Sequence, residues 1–254
     1  MKSVLRALGM RSMARALLIG ALATGMPTAS VAAADEGLPD IGMLAPKDFS
    51  IQSRPRGVRW LRFDTVVVNV GPGPFQVYGH DDPDDGTSKY AVVQEVWDGT
   101  AWVEHPTPAV MSYSGDGHDH WHVEHLQRWT LINANAEVLR SGAKIGFCFW
   151  DNYRYGSTVD PHYHPDTTSA CEEREDGSVP MGLSVGWGDE YPSTIAFQYI
   201  DITGLPNGDY TITVEADPQN WFLEASDANN ASWAKIRITR QGVRVLESGP
   251  GPTP

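Results

Sequence analysis

Arg62-Phe63-Asp64-Thr65-Val66-Val67-Val68-Asn69-Val70 is the stretch on which the fold turns. Polar and apolar residues alternate in its first half, and the β-branched run that follows favours extended backbone. A turn signal, Gly71-Pro72-Gly73-Pro74, closes it. Similar runs recur at residues 91–97, 129–132, 145–150, 197–202, 210–214 and 233–238, punctuated by Asp98-Gly99 and Pro206-Asn207-Gly208-Asp209. Beyond the first 34 residues, no stretch keeps a helical period over three turns. The predicted fold class is therefore all-β, an antiparallel β-sandwich with long irregular loops. One region, from Asn152 to about Glu190, is rich in Gly, Pro, Asp and His and lacks strand character. A loop that long is usually functional or disordered.

Composition divides the 254 residues unevenly. The first 34 contain Lys2, Arg6, Arg11 and Arg15 and no acidic residue, then an apolar run at 16–23 and the small residues Ala29-Ser30-Val31-Ala32-Ala33-Ala34. Those three regions read as a signal peptide over 1–34, cleaved near Ala33 or Ala34. Its apolar run is shorter than the roughly 20 residues that span a bilayer. A single domain is expected over 35–246, followed by a flexible Gly/Pro tail over 247–254. The location implied is secreted or periplasmic.

The whole chain has a formal charge of −13, but four of its 19 basic residues lie in the leader. That leaves 15 basic against 32 acidic side chains, a charge of −17, on the remainder. Nucleic-acid phosphates and anionic lipid reward Lys and Arg, so the charge disfavours such partners and favours cationic ones. Cys148 and Cys171, the two cysteines, read as one structural disulfide, stabilising by roughly 3 kcal/mol.

The sharpest chemical signal is Gly117-His118-Asp119-His120-Trp121-His122. On a helix His120 would point away from its neighbours, whereas on a strand positions i, i+2 and i+4 share one face. Side chains there are about 6 to 7 Å apart, and their ring nitrogens can close on one ion with bonds near 2 Å. The blander alternative is a polar strand whose histidines face water. Imidazole suits several transition metals, and affinity order favours Cu(II). His162 and His164 also alternate but lie in the long loop, and His125 falls on the opposite face or past the strand's end.

The order of motifs resembles the lysyl oxidase family. Leu38-Pro39-Asp40-Ile41 is similar to its LPDL opening, and Leu61-Arg62-Phe63 with Asn69-Val70-Gly71 to its LRF and NxG elements. His118-Asp119-His120-Trp121-His122 resembles the HxHxH copper motif, and Ser141-Gly142-Ala143-Lys144-Ile145-Gly146-Phe147-Cys148 the EGHKASFC segment. Trp187-Gly188-Asp189-Glu190-Tyr191 resembles WDMY, and Gln198-Tyr199-Ile200-Asp201-Ile202-Thr203 resembles QWVDIT. Pro206-Asn207-Gly208-Asp209-Tyr210 and the segment from Glu224 to Asn230 are similar to the PPGDY and ESDYSNN elements.

The resemblance implies copper held by His118, His120 and His122, and a lysine tyrosylquinone formed from Lys144 and Tyr191. It implies a copper amine oxidase that converts cationic primary amines and O₂ to aldehydes, ammonia and hydrogen peroxide. Lys144 follows His122 by 22 residues, room for one hairpin return. The chain departs from the vertebrate pattern in having fewer cysteines, a longer segment between Lys144 and Tyr191, and Gln127 where HYDLL begins. Asp189, Glu190, Glu124 and Asp151 all lie near the motifs as bases, and sequence does not choose among them. Asp40, Glu224, Asp227, Asn229 and Asn230 offer the hard oxygens that calcium prefers, at positions similar to the family's calcium site. Two other readings compete: an exported copper-binding protein without a quinone, and an immunoglobulin-like surface module without catalysis.

Overall fold

The valine-rich stretch forms the centre of β3 (Arg59–Asn69) in a computed structural model that describes residues 37–81, 86, 88–114 and 119–249. The expected signal peptide lies outside the described residues. Leu61 and Phe63 of β3 are buried between half-exposed neighbours, and from Thr65 onward every side chain is buried. A strand covered on one face alternates, and one covered on both does not. β2 (Lys47–Ser53) and β14 (Tyr199–Asp201) pair with the first half of β3. β1 (Ile41–Met43) and β13 (Trp187–Tyr191) pair with the second, and β11 (Tyr153–Arg154) extends β13.

A second sheet has the order β10 (Gly146–Phe147), β7 (His120–Glu124), β6 (Trp102–Ser114), β5 (Tyr90–Trp97), β4 (Phe75–Asp81), β12 (Val179–Leu183). The third runs β17 (Val243–Ser248), β16 (Ala231–Ile238), β15 (Gly208–Ala216), β8 (Gln127–Ile132), β9 (Val138–Ser141). All pairings are antiparallel, as the alternation predicts. Phe63, Phe75, Met111, Phe147, Leu131 and Ile212, drawn from all three sheets, join one buried cluster. The Phe63 ring meets Trp129 edge-on at 5.4 Å.

The region from 152 to 190 corrects the sequence reading. It contains β11, β12, β13 and the short helix α1 (Pro165–Thr168). β12 is buried at every position and includes Pro180 and Gly182, so it shows no alternation. A Cβ on Gly182 would sit 2.5 Å from the Tyr163 ring, so glycine is what lets that tyrosine lie over the strand. β17 runs to Ser248, and Gly249 N–H donates to the Trp233 carbonyl at 2.8 Å. Residues 250–254 lie outside the described residues.

Buried polar groups hold the loops. The Asp151 carboxylate accepts from His162 N–H at 2.9 Å, Tyr163 N–H at 3.1 Å, and both Ser184 N–H and Oγ at 2.8 and 2.6 Å. Asn69 accepts from Asp40 N–H at 3.0 Å and Gly71 N–H at 3.1 Å, and donates to the Gly73 and Leu183 carbonyls. The disulfide forms between Cys148 and Cys171, with Cα atoms 5.7 Å apart. Cys171 N–H donates to Pro180 O on β12 at 2.7 Å, and its carbonyl accepts from Trp121 N–H on β7 at 3.0 Å. Replacing both cysteines by alanine is expected to lower stability by about 3 kcal/mol through the loop entropy released in the unfolded chain. A urea titration of the double variant against the oxidised protein measures the loss.

Candidate active site

β7 presents alternate side chains to two environments. Trp121 and Val123 are buried in the core, Trp121 against the Tyr90 ring at 4.0 Å. His120 and His122 share the other face, their rings 4.6 Å apart. The strand geometry expected for this motif is therefore present at two of its three histidines, and His118 lies outside the described residues. Among the described residues no three His, Cys, Asp or Glu side chains converge on one point that could hold an ion.

Lys144 reaches the same face from the connection between β9 and β10 rather than from a strand. Its backbone is fixed on both sides: Ala143 N–H donates to Tyr199 O at 3.0 Å, and the Ile145 carbonyl accepts from His125 N–H at 2.8 Å. β10 then pairs with β7, Gly146 opposite Glu124 and Phe147 opposite Val123. A Cβ on Gly146 would come within 2.8 Å of the His122 Cβ, so only glycine allows so close a passage. The lysine is 9% exposed, and its Nζ lies 5.3 Å from the Phe147 ring centre and 5.5 Å from that of Tyr191.

Tyr191 comes from the other side, on β13, held by pairing with Thr65 of β3. Its ring meets Phe147 edge-on at 5.5 Å, and its hydroxyl donates to the Cys148 carbonyl. Asp189, two residues earlier and so on the same strand face, is 2% exposed. One of its oxygens accepts from the Asn152 amide, and the other, Oδ2, has no hydrogen-bond partner. Burial pushes both the Tyr191 phenol and the Asp189 carboxyl well up; the Asp189 charge adds to the rise at the phenol, and Tyr191, Asn152 and then Lys144 oppose the rise at Asp189. His120, His122, Lys144, Asp189 and Tyr191 line one cavity of about 310 Å³. A second groove of about 370 Å³, edged by Tyr113, Glu124 and Phe197, shares His122 and Lys144 with it.

The family-level sequence model of lysyl oxidase matches residues 95–248. The chain belongs to the lysyl oxidase family. It is 27% identical to lysyl oxidase homolog 2 of Gallus gallus over 191 residues, 75% of this chain and 20% of that protein. Against lysyl oxidase homolog 2 of Homo sapiens the identity is 28% over 188 residues, 74% of this chain and 19% of the relative. Human protein-lysine 6-oxidase is 31% identical over 124 residues, 48% of this chain and 27% of that protein. The chain thus spans about a fifth of the length of the lysyl oxidase homolog 2 proteins it matches.

Other residues singled out from sequence lie elsewhere in this lysyl oxidase family member. His164 accepts from Asp166 N–H at the start of α1 and packs edge-on to Trp150 at 4.7 Å. His125 falls just past the end of β7 with a φ of 61°. Asp40 accepts from the Asn229 amide at 2.6 Å, and Glu224 accepts from Ile41 N–H at 2.7 Å and the Asn230 amide at 3.0 Å. Asp227 is exposed and acts on Asp40 and Glu224 only through its charge. Sequence reasoning passed over Asn152 and Gly146. Only the spacing of a glycine two residues after Lys144 hinted at the second, and nothing local marks the first.

Burial pushes Glu224 up to about 8 from 4.5. A carboxyl raised in the native state supports folding most when protonated, so in metal-free protein its contribution is full below about pH 4.5 and is lost as the pH rises through 8. The denaturation midpoint measured in chelator is expected to fall between pH 4.5 and 8.5, and Glu224→Gln should flatten that decline.

Proposed function

We propose that the chain is a copper-dependent amine oxidase whose organic cofactor is made from Lys144 and Tyr191. The observation that carries this reading is the buried Lys144 amine 5.5 Å from the Tyr191 ring, in a cavity also lined by His120 and His122.

Copper would be held by His118, His120 and His122. The pair at 4.6 Å supports the fit, because two imidazoles on one strand face leave room between their rings for a shared ion. With copper, the lysine tyrosylquinone supplies oxidative deamination of a primary amine by O₂, giving an aldehyde, ammonia and hydrogen peroxide. The protein's part is to hold the substrate and exclude water. The groove that shares His122 and Lys144 with this cavity is edged by the rings of Tyr113 and Phe197, which suits the alkyl stem of an amine. A charge of −17 outside the leader adds long-range attraction for such substrates. Their class would be lysyl groups, lysine or polyamines.

Calcium would bind between Asp40, Glu224, Asp227, Asn229 and Asn230. Buried Oδ1 atoms of Asn229 and Asn230 have no partner, which supports an oxygen-seeking ion there. Among the described residues, no helix is long and apolar enough to cross a membrane. We read the chain as exported, since its disulfide suits an oxidising compartment and its first 34 residues resemble a leader.

Expression with copper followed by proteolysis and mass spectrometry should yield the Lys144 and Tyr191 peptides joined, with redox staining of the intact protein. Two separate, unmodified peptides in fully copper-loaded protein would leave a copper-binding protein without a quinone. Absence of bound copper would favour the surface module. Lys144→Ala is expected to abolish amine oxidation with copper content unchanged. Millimolar calcium should raise the melting temperature and remove the alkaline loss of stability; if both stay unchanged, the acidic cluster serves only turns and caps.

A further inference from the structure

Four carboxylates lie near the motifs, and the structure separates them. Glu124 takes two contacts from Lys89 Nζ, at 2.8 and 2.7 Å. Glu190 is paired with Lys47 at 2.6 Å. Asp151 has its oxygens occupied by four donors from His162, Tyr163 and Ser184. Asp189 alone of the four keeps a buried oxygen, Oδ2, without a partner, and it lies beside the Tyr191 hydroxyl.

We propose that Asp189 is the proton acceptor of Tyr191, taking the phenolic hydrogen and leaving a phenolate in the cavity that contains Lys144, His120 and His122. The proposal rests on the reading above, that Tyr191 is oxidised during cofactor formation. The step breaks the Tyr191 O–H bond and forms one at the Asp189 carboxylate. No electrons change hands, and the pair keeps a single negative charge throughout, so no additional charge is buried. A phenolate yields electrons more readily than a phenol, and copper with O₂ is the oxidant that the proposed function already requires.

The surroundings favour this transfer. The present acceptor of the phenol, the Cys148 carbonyl, can share the hydrogen but cannot keep it. Burial raises the basicity of Asp189, which favours its accepting a proton. The Asn152 amide, donating to the other oxygen, holds the carboxylate in place. Lys144 faces both groups with its cation, and steadies the negative charge whichever of them carries it.

The test uses the full chain, prepared without metal and then exposed to copper in air. Joining of the Lys144 and Tyr191 peptides is followed by mass spectrometry, with bound copper and circular dichroism measured alongside. Asp189→Asn, which is isosteric, should retain copper and fold but slow the joining by about 100-fold. Raising the pH should recover much of the rate, because hydroxide then replaces the missing base, and Asp189→Glu should restore part of it at neutral pH. Joining at the wild-type rate in Asp189→Asn overturns the proposal alone. A slow rate that neither alkali nor glutamate relieves also overturns it, by making Asp189 structural. Wild-type protein that binds copper without ever joining the peptides overturns the oxidase reading and this proposal with it.

Discussion

Gly146 crosses His122 so closely that no side chain fits between them, and the geometry of the site hangs on that passage. It lets β10 pair tightly with the end of β7, with Phe147 against Val123. Two residues before the glycine, Lys144 is turned into the cavity; two residues after it, Cys148 offers its carbonyl to the Tyr191 hydroxyl. One short segment thus fixes the amine, the histidine face and the acceptor of the phenol together. Phe147 fills the space between, with its ring under Lys144 and edge-on to Tyr191.

Tyr191 depends on a different part of the chain. β13 is held by β3, whose pairing places Tyr191 opposite Thr65. β3 and the strands β1 and β2 paired with it all precede residue 95, where the family match begins. They are nevertheless what carries the tyrosine to the lysine. Asn69, wholly buried, ties the end of β3 to Asp40, to the turn at Gly71 and Gly73 and to β12 through four hydrogen bonds. A buried side-chain amide with every donor and acceptor used is costly to disturb, since each lost bond leaves an unpaired group.

Much of this was legible in the chain itself. Alternation at 62–65, 210–214 and 233–238 announced strands, because each is covered mainly on one face, and the β-branched run marked the rest of β3. The spacing of His120 and His122 predicted a shared strand face, and two cysteines left one pairing. β12 and β13 escaped notice for a physical reason. Both are five residues long and carry glycine, and their near-complete burial erases the period of two that pattern reading relies on. Spacing allowed Lys144 one hairpin return from His122, but its place in the connection before β10 depends on tertiary anchors at Ala143 and Ile145. The ranking of the four carboxylates was likewise invisible, because Lys47 and Lys89 are remote in sequence from the groups they neutralise.

Cys171 touches both β7 and β12, strands near opposite ends of the same six-stranded sheet. Open sheets have exposed rows of peptide groups at their margins, which recruit strands from other chains and seed aggregates. Here the backbone of one cysteine occupies peptide groups near both margins, and its disulfide keeps it from leaving. The cross-link that steadies the Tyr191 hydroxyl's acceptor therefore also ties strands near both margins of that sheet to one residue.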